Sequence, residues 1–498
     1  MAANESGKTM SNTPRRVANF IDGDYVDGGK TFESRCPADN SLAAMVCEAS
    51  REDVNRAVAA GRRALTGEWG AKTLEERADI LDRVADILIE RVADFADAEI
   101  SDTGKLIGPT LKGEIPRAAM QFRVFADIVR RGFSMAAIAS EMPGGKAVNY
   151  PERAPKGVVA AICPWNLPLV LSTWKIAPAL ACGNAVVVKP SEETPITATM
   201  LGEVMNSAGL PAGAYNVVNG FGPGSAGEFL AAHPQVNAIT FTGETRTGMA
   251  IMAAAADGVK AVSLELGGKN AALIFADCDF DKAIAGTAAS VFHNCGQVCL
   301  CTERVYVERR IFNEFVEALK EKAEALRPGD PRDPSTTLSP LIGLGHRKKV
   351  LDYFESAKRE GATVVTGGKI PSVDDRFRNG AWISPTIWTG LSESSRVVRE
   401  EVFGPVCHIA PFDTDDEAVA LANGTDYGLA ATVWSKDTNR ARRVASRIEA
   451  GVVWVNGWMI RDLRSPFGGF KKSGVGREGG EFSLDFYSEI RNVCVNEA

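Results

Sequence analysis

Apolar positions in this 498-residue chain follow two rhythms. Residues 54–65 and 74–95 carry them at helical spacing: Leu81, Val84, Leu88 and Phe95 share one face, while Glu75, Glu76, Arg83, Glu90 and Arg91 fill the other. From Val158 the pattern changes to short apolar runs separated by helical stretches, at 158–163, 185–189, 215–219, 238–242 and 262–266. Parallel strands read this way because helices cover both of their faces. A second alternating block follows position 299, with strands predicted at 304–308, 363–366, 430–434 and 452–455 and helices at 311–326 and 346–360. Short extended pieces at 144–150 and through Val493 and Val495 belong to neither block, and lone strands need a partner edge. The fold class expected is α/β, two doubly wound domains plus a small β arm.

Composition narrows the function. The chain is 45% hydrophobic and 24% charged with a net charge of -7, so it lacks the basic footprint of a nucleic-acid binder. Residues 1–16 are polar, and the most apolar stretch, 158–171, is interrupted by Pro164, Asn166 and Pro168. A cytoplasmic protein with no membrane partner is expected. Ten cysteines are too sparse for a disulfide framework, and Cys163, Cys182 and Cys407 sit inside apolar runs. His293, Cys295, Cys299 and Cys301 fall close together but have no second ligand pair at zinc-site spacing, so no metal is expected.

Two segments carry chemistry. Glu265-Leu266-Gly267-Gly268-Lys269-Asn270 offers a carboxylate able to activate water, and Asn294-Cys295-Gly296-Gln297-Val298-Cys299 offers a thiol able to attack a carbonyl. Two glycine turns compete for a dinucleotide. Gly222-Pro223-Gly224-Ser225-Ala226-Gly227 has the expected spelling but holds proline and lies deep in the sheet pattern; an ordinary loop capped by Ser225 explains it better. In Phe241-Thr242-Gly243-Glu244-Thr245-Arg246-Thr247-Gly248 a strand runs into a turn and then a helix, whose N-terminus suits phosphates. Lys189 and Glu192, past the end of another strand, can hold ribose hydroxyls, and a carboxylate there favours NAD over NADP.

From about Phe20 onward the chain resembles the aldehyde dehydrogenase superfamily. The strings that carry the resemblance occur in order: Pro164-Trp165-Asn166, Lys189-Pro190-Ser191-Glu192, Phe241-Thr242-Gly243, Glu265-Leu266-Gly267-Gly268, Gly296-Gln297-Val298-Cys299 and Glu400-Glu401-Val402-Phe403-Gly404-Pro405. The resemblance implies an NAD-binding domain (20–136 and 156–265), a catalytic domain (266–460), a substrate or anchor loop (461–479) and an oligomerisation arm (137–155 and 480–498), behind a flexible tail (1–19). It also implies a homodimer or homotetramer.

The resemblance selects Cys299 as nucleophile over Cys295 and Cys301, Glu265 as base, and Asn166 with the Cys299 N–H as oxyanion donors. For NAD it implies Lys189, Ser191 and Glu192 at the adenosine ribose, and Ile162, Pro164, Trp165, Phe241 and Thr242 along the strand ends. Gly243, Glu244, Thr245 and Gly248 would lie at the pyrophosphate, with Leu266, Gly267, Glu401 and Phe403 near the nicotinamide. Glu244 departs from the serine common in relatives and brings an acid close to the phosphates.

Within the superfamily, Ile115-Pro116-Arg117, the string 122–127 and Arg461-Asp462-Leu463-Arg464 resemble the muconic semialdehyde dehydrogenases of aromatic-ring degradation. That implies 2-hydroxymuconate 6-semialdehyde as substrate, or its 2-amino counterpart, or more remotely another aldehyde such as betaine aldehyde. Arg117 and Arg461, with Arg464 as a substitute, would grip the remote carboxylate. Two other classes compete: a non-catalytic module, which retention of Cys299, Glu265 and Asn166 opposes, and a cofactor-free thiol hydrolase, for which His293 is the one base close in sequence.

Overall fold

Five apolar runs pair in parallel because each needs a neighbour on both edges and a helix on both faces. The computed structural model describes residues 14–132, 135–142 and 145–497. Its first sheet has eight strands, in the order Gly474–Val475, Ala261–Glu265, Ala238–Thr242, Val158–Ile162, Ala185–Lys189, Tyr215–Val217, Asn19–Ile21 and Asp24–Val26. The central five are parallel. Strand order reverses between Val158–Ile162 and Ala238–Thr242, and the crevice at such a switch point is where doubly wound sheets bind ligands.

The second sheet has seven strands, in the order Thr363–Thr366, Thr386–Thr389, Val406–Phe412, Thr302–Glu308, Asn270–Ile274, Ala430–Trp434 and Val452–Val455. Only Thr363–Thr366 runs antiparallel to its neighbour. Residues 266–269 alone join the last parallel strand of the first sheet to Asn270–Ile274 of the second. A third sheet of Ile138–Met142, Gly145–Pro155 and Ser488–Glu497 stands apart as the arm.

Several expected boundaries shift. The helix expected over 74–95 is two, Leu74–Glu90 and Val92–Thr103, because Arg91 leaves the helical basin at φ -102° and ψ 20°. The tail expected over 1–19 is partly ordered: residues 1–13 lie outside the described residues, but Arg15–Val17 pairs with Leu42–Cys47 and buries Val17. The arm expected over 480–498 begins at Ser488, since Gly480–Tyr487 is a helix whose Leu484 and Tyr487 enter the core of the first domain. Residues of the expected anchor loop supply that domain's edge strand Gly474–Val475. Among the described residues no helix is long and apolar enough to cross a membrane.

Candidate active site

Glu265 closes a strand at its carboxyl end, and Asn270 opens the next sheet at an amino end, so the site forms where the two sheets meet. The Asn270 amide donates to the carbonyl oxygens of Cys299 and Cys301 at 2.7 and 2.8 Å, which fastens the cysteine loop to that junction. The loop itself is tightly wound. Asn294, Cys295 and Gly296 all adopt left-handed backbone (φ 49°, 57° and 72°), and a Cβ at Gly296 would stand 1.9 Å from the Gly404 carbonyl oxygen. Gln297 locks the turn, donating to Asn294 and Pro340 carbonyls and accepting from the Ile342 N–H.

Cys299 remains partly open while Cys295 and Cys301 are buried, so of the three thiols it is the one a substrate can reach. Its thiol is pushed up to about 12 by burial and then by the charges of Glu401 and Glu265, with Arg461 pulling the other way. Both acids are themselves pushed up, Glu401 to about 8 and Glu265 well above the carboxylate range, so near neutral pH they do little to oppose the thiolate. Asn166 is buried and donates its side-chain amide to the Gln297 carbonyl at 3.0 Å; the Asn166 carbonyl in turn accepts from Lys105 and Asn294.

Glu265 is 4% exposed, and neither of its carboxylate oxygens has a hydrogen-bond partner. Burial raises it first, then the neighbouring Glu478; Lys175, Arg477 and Arg461 oppose. Glu478 is held by a buried ion pair, Lys175 Nζ to Oε1 at 2.9 Å. Sequence reasoning missed this pair: the two residues are 303 positions apart and carry no local signal.

Arg117 lies in the helix Ile115–Arg130, and Arg461 lies in the loop after Val452–Val455. Neither forms an ion pair among the described residues, and Arg461 Nε is buried without a partner. Arg461 is lowered to about 10, chiefly by burial and then by Arg117, so the two cations stand near one another and near Cys299 and Glu265. Its guanidinium rests over the Trp174 and Phe467 rings at 4.9 and 4.2 Å. Two desolvated guanidinium groups without a protein carboxylate suit an anionic ligand. Arg464 does not join them; its guanidinium is exposed and engaged by Asp462 at 3.0 and 2.7 Å.

The expected cofactor residues line the carboxyl ends of the first sheet. Ile162, Phe241 and Thr242 end the two strands at the switch point, with Pro164 and Trp165 just beyond Ile162. The Gly243 N–H donates to the Glu265 carbonyl at 3.0 Å. Glu244 precedes the helix Thr245–Ala256 without capping it, and Arg246 takes its carboxylate at 3.0 and 2.8 Å, so the helix N-terminus keeps its free N–H groups and the acid is neutralised. Gly248 faces the Leu266 side chain.

Buried Lys189 donates to the Pro190 and Gly220 carbonyls, both at 2.7 Å, and to Glu192 at 3.4 Å; Ser191 Oγ accepts from the Glu193 N–H. Gly220 opens the other glycine loop, which thus comes up against Lys189. There Ser225 stands at the N-cap of the helix Ala226–Ala232, but its hydroxyl makes no cap bond; it accepts from the Phe221 N–H and donates to Glu48. A Cβ at Gly267 would stand 2.4 Å from Glu401 Oε2, and Gly268 N–H donates to Glu401 Oε1 at 2.9 Å. Phe403 packs edge-on against Trp165 (centroids 5.3 Å apart), and His346, missed in the sequence, contacts both rings and donates Nε2–H to the Phe403 carbonyl at 2.7 Å. An uncapped helix N-terminus, a lysine and carboxylate at one end and a glycine-backed acid at the other form a donor set that fits a dinucleotide.

Known proteins share both the sequence and the fold of this chain. The aldehyde dehydrogenase family matches residues 25–493. A 2-hydroxymuconic semialdehyde dehydrogenase of Pseudomonas sp. (strain CF600) is 58% identical over 97% of this chain and 99% of its own length. A 2-aminomuconic 6-semialdehyde dehydrogenase of Pseudomonas sp is 55% identical over 97% and 98%. Among solved structures, the NAD+ complex of an aldehyde dehydrogenase from Bacillus cereus superimposes with a TM-score of 0.93 at 37% identity, covering 97% of each chain. In sequence as in architecture, the chain belongs to the aldehyde dehydrogenase family.

Proposed function

We propose that the protein is an NAD-dependent dehydrogenase that oxidises 2-hydroxymuconate 6-semialdehyde to the dicarboxylate in the breakdown of aromatic compounds. The observation that carries the substrate class is the pair Arg117 and Arg461, half-buried and without carboxylate partners among the described residues, with Arg461 beside both Arg117 and Cys299. A remote carboxylate neutralises both and aims the aldehyde at the thiol. The same two cations repel the quaternary ammonium of betaine aldehyde. The 2-amino substrate is the second reading, favoured by a relative of that name at 55% identity against 58% for the 2-hydroxy one.

Cys299 adds as thiolate to the aldehyde carbon, and the resulting oxyanion accepts from the Asn166 amide and the Cys299 backbone N–H. Lys189, Ser191 and Glu192 would hold the adenosine ribose of NAD, the Gly243–Thr245 turn the pyrophosphate, and Glu401 with Phe403 the nicotinamide nucleoside. When bound, NAD+ supplies the hydride acceptor that turns the thiohemiacetal on Cys299 into a thioester. Glu265 then takes a proton from the water that attacks the thioester, which releases the acid and frees the thiol. Its lack of hydrogen-bond partners leaves both oxygens free for that water.

A cytoplasmic homo-oligomer, dimer or tetramer, goes with this reading. Support comes from ten free thiols and from the three-stranded arm, where Ile138, Tyr150, Ile490 and Val495 are 60%, 42%, 57% and 46% exposed. The deciding experiment is side-by-side kinetics with the 2-hydroxy, 2-amino and neutral aliphatic aldehydes, following NADH. Strong preference for the muconic substrates, lost in Cys299→Ser, is expected; equal turnover of a neutral aldehyde would overturn the substrate assignment.

A further inference from the structure

Glu303 is a carboxylate 4% exposed that takes no part in the chemistry above. It accepts the Val402 N–H on both oxygens at 3.1 Å and the Phe403 N–H at 2.9 Å, and it pairs with the buried Lys269 ammonium. Two successive backbone amides converging on one anion form a concavity that usually holds a ligand. Here the anion is the protein's own.

The segment gripped by Glu303 presents Glu401 and Phe403. Phe403 adopts φ 60°, a left-handed conformation that a bulky residue keeps only where its surroundings impose it. Its carbonyl meets His346, its N–H meets Glu303, and Glu401 meets the Gly268 N–H. Of these anchors only Glu303 is charged, and charge-assisted bonds are the strongest of the set. Glu303 also follows Cys299 by four residues in the chain, and Lys269 follows Gly268 directly. Glu303, in the strand Thr302–Glu308 that follows the thiol's loop, is therefore tied to the 266–269 segment through Lys269 and to the turn that carries Glu401 and Phe403 through the two amides.

We propose that Glu303, paired with Lys269, is a positioning residue that sets the Glu401–Phe403 turn for the nicotinamide nucleoside and fixes its distance from Cys299. The inference rests on the reading of Glu401 and Phe403 as cofactor groups.

The test uses the full-length protein with three readouts: NAD+ affinity by calorimetric titration, the rate of Cys299 alkylation by iodoacetamide without NAD+, and thermal unfolding. In Glu303→Gln an amide replaces one acceptor oxygen and the charge opposite Lys269 is lost. NAD+ affinity is expected to fall about tenfold or more while alkylation stays within about twofold of the parent. Unchanged affinity overturns the proposal, as does a fall in affinity matched by a fall in alkylation, which marks general loosening. Glu303→Asp keeps the charge but draws it back from the amides; it should give the same split, and it decides the matter if the glutamine variant does not fold. Glu401→Gln separates the two levels: parent-like NAD+ affinity in that variant sinks the underlying cofactor reading, whereas weakened affinity there with parent-like affinity in Glu303→Gln sinks only the role of Glu303.

Discussion

The side-chain amide of Asn166 donates to the carbonyl of Gln297 at 3.0 Å, two residues before the thiol. One N–H is committed to the cysteine loop, and the second has no protein partner among the described residues. The bond therefore orients the amide and leaves a donor for a developing oxyanion. Asn166→Ala is expected to lower kcat by about 10²–10³ with a smaller change in substrate KM, checked by steady-state kinetics. A change confined to KM would remove Asn166 from the oxyanion site.

Glu265→Gln separates the two halves of the reaction. The first NADH per site should still appear in a rapid burst, while steady-state turnover falls by about 10²–10⁴ because the thioester persists. Mass spectrometry of the trapped acyl-enzyme provides the check; no accumulation would place the base elsewhere.

Burial and Glu478 both hold Glu265 in its protonated form, so the carboxylate becomes available as base only as pH rises through its raised pKa. Where deacylation limits the rate, turnover should climb with pH above the ordinary glutamate range. Glu478→Gln removes a like charge and leaves the Lys175 ammonium nearby, and both changes favour ionised Glu265. The ascending limb should shift to lower pH, as read from the kcat profile.

Arg117→Met and Arg461→Met are each expected to weaken a dicarboxylate semialdehyde by about 1.5–3 kcal/mol in kcat/KM and to spare a neutral aldehyde. The double variant should lose less than the sum, since both side chains hold one carboxylate. Arg461 also pulls the Cys299 thiol downward, so Arg461→Met should move the pH profile of alkylation upward.

Gly296→Ala tests the cysteine turn itself. Its φ of 72° and the 1.9 Å approach to the Gly404 carbonyl leave no place for a methyl group. A loss of about 2 kcal/mol or more in unfolding free energy is expected, measured by denaturant titration.

Runs such as Ala185–Lys189 and Ala238–Thr242 announced parallel strands because every one of their residues is buried. Val406–Phe412 escaped notice because His408 and Pro411 interrupt its apolar pattern, although both are accommodated within the sheet. Asn270–Ile274 was hidden by its closeness to the preceding strand. At the site, contiguous strings made Cys299, Glu265 and Asn166 legible. Glu303, Lys175, Glu478 and His346 were not, because a buried ion pair or an aromatic contact between distant segments leaves no spacing to read. Arg464 looked equivalent to Arg461 until the fold turned one outward to Asp462 and the other inward over Trp174.

The four residues 266–269 form a covalent strap between the two sheets, and the Asn270 side chain extends it by one 2.7 Å hydrogen bond to Cys299. Such a strap can reach at most roughly 14 Å. That tether keeps the end of the Glu265 strand and the Cys299 loop within reach of one another whatever the two sheets do elsewhere.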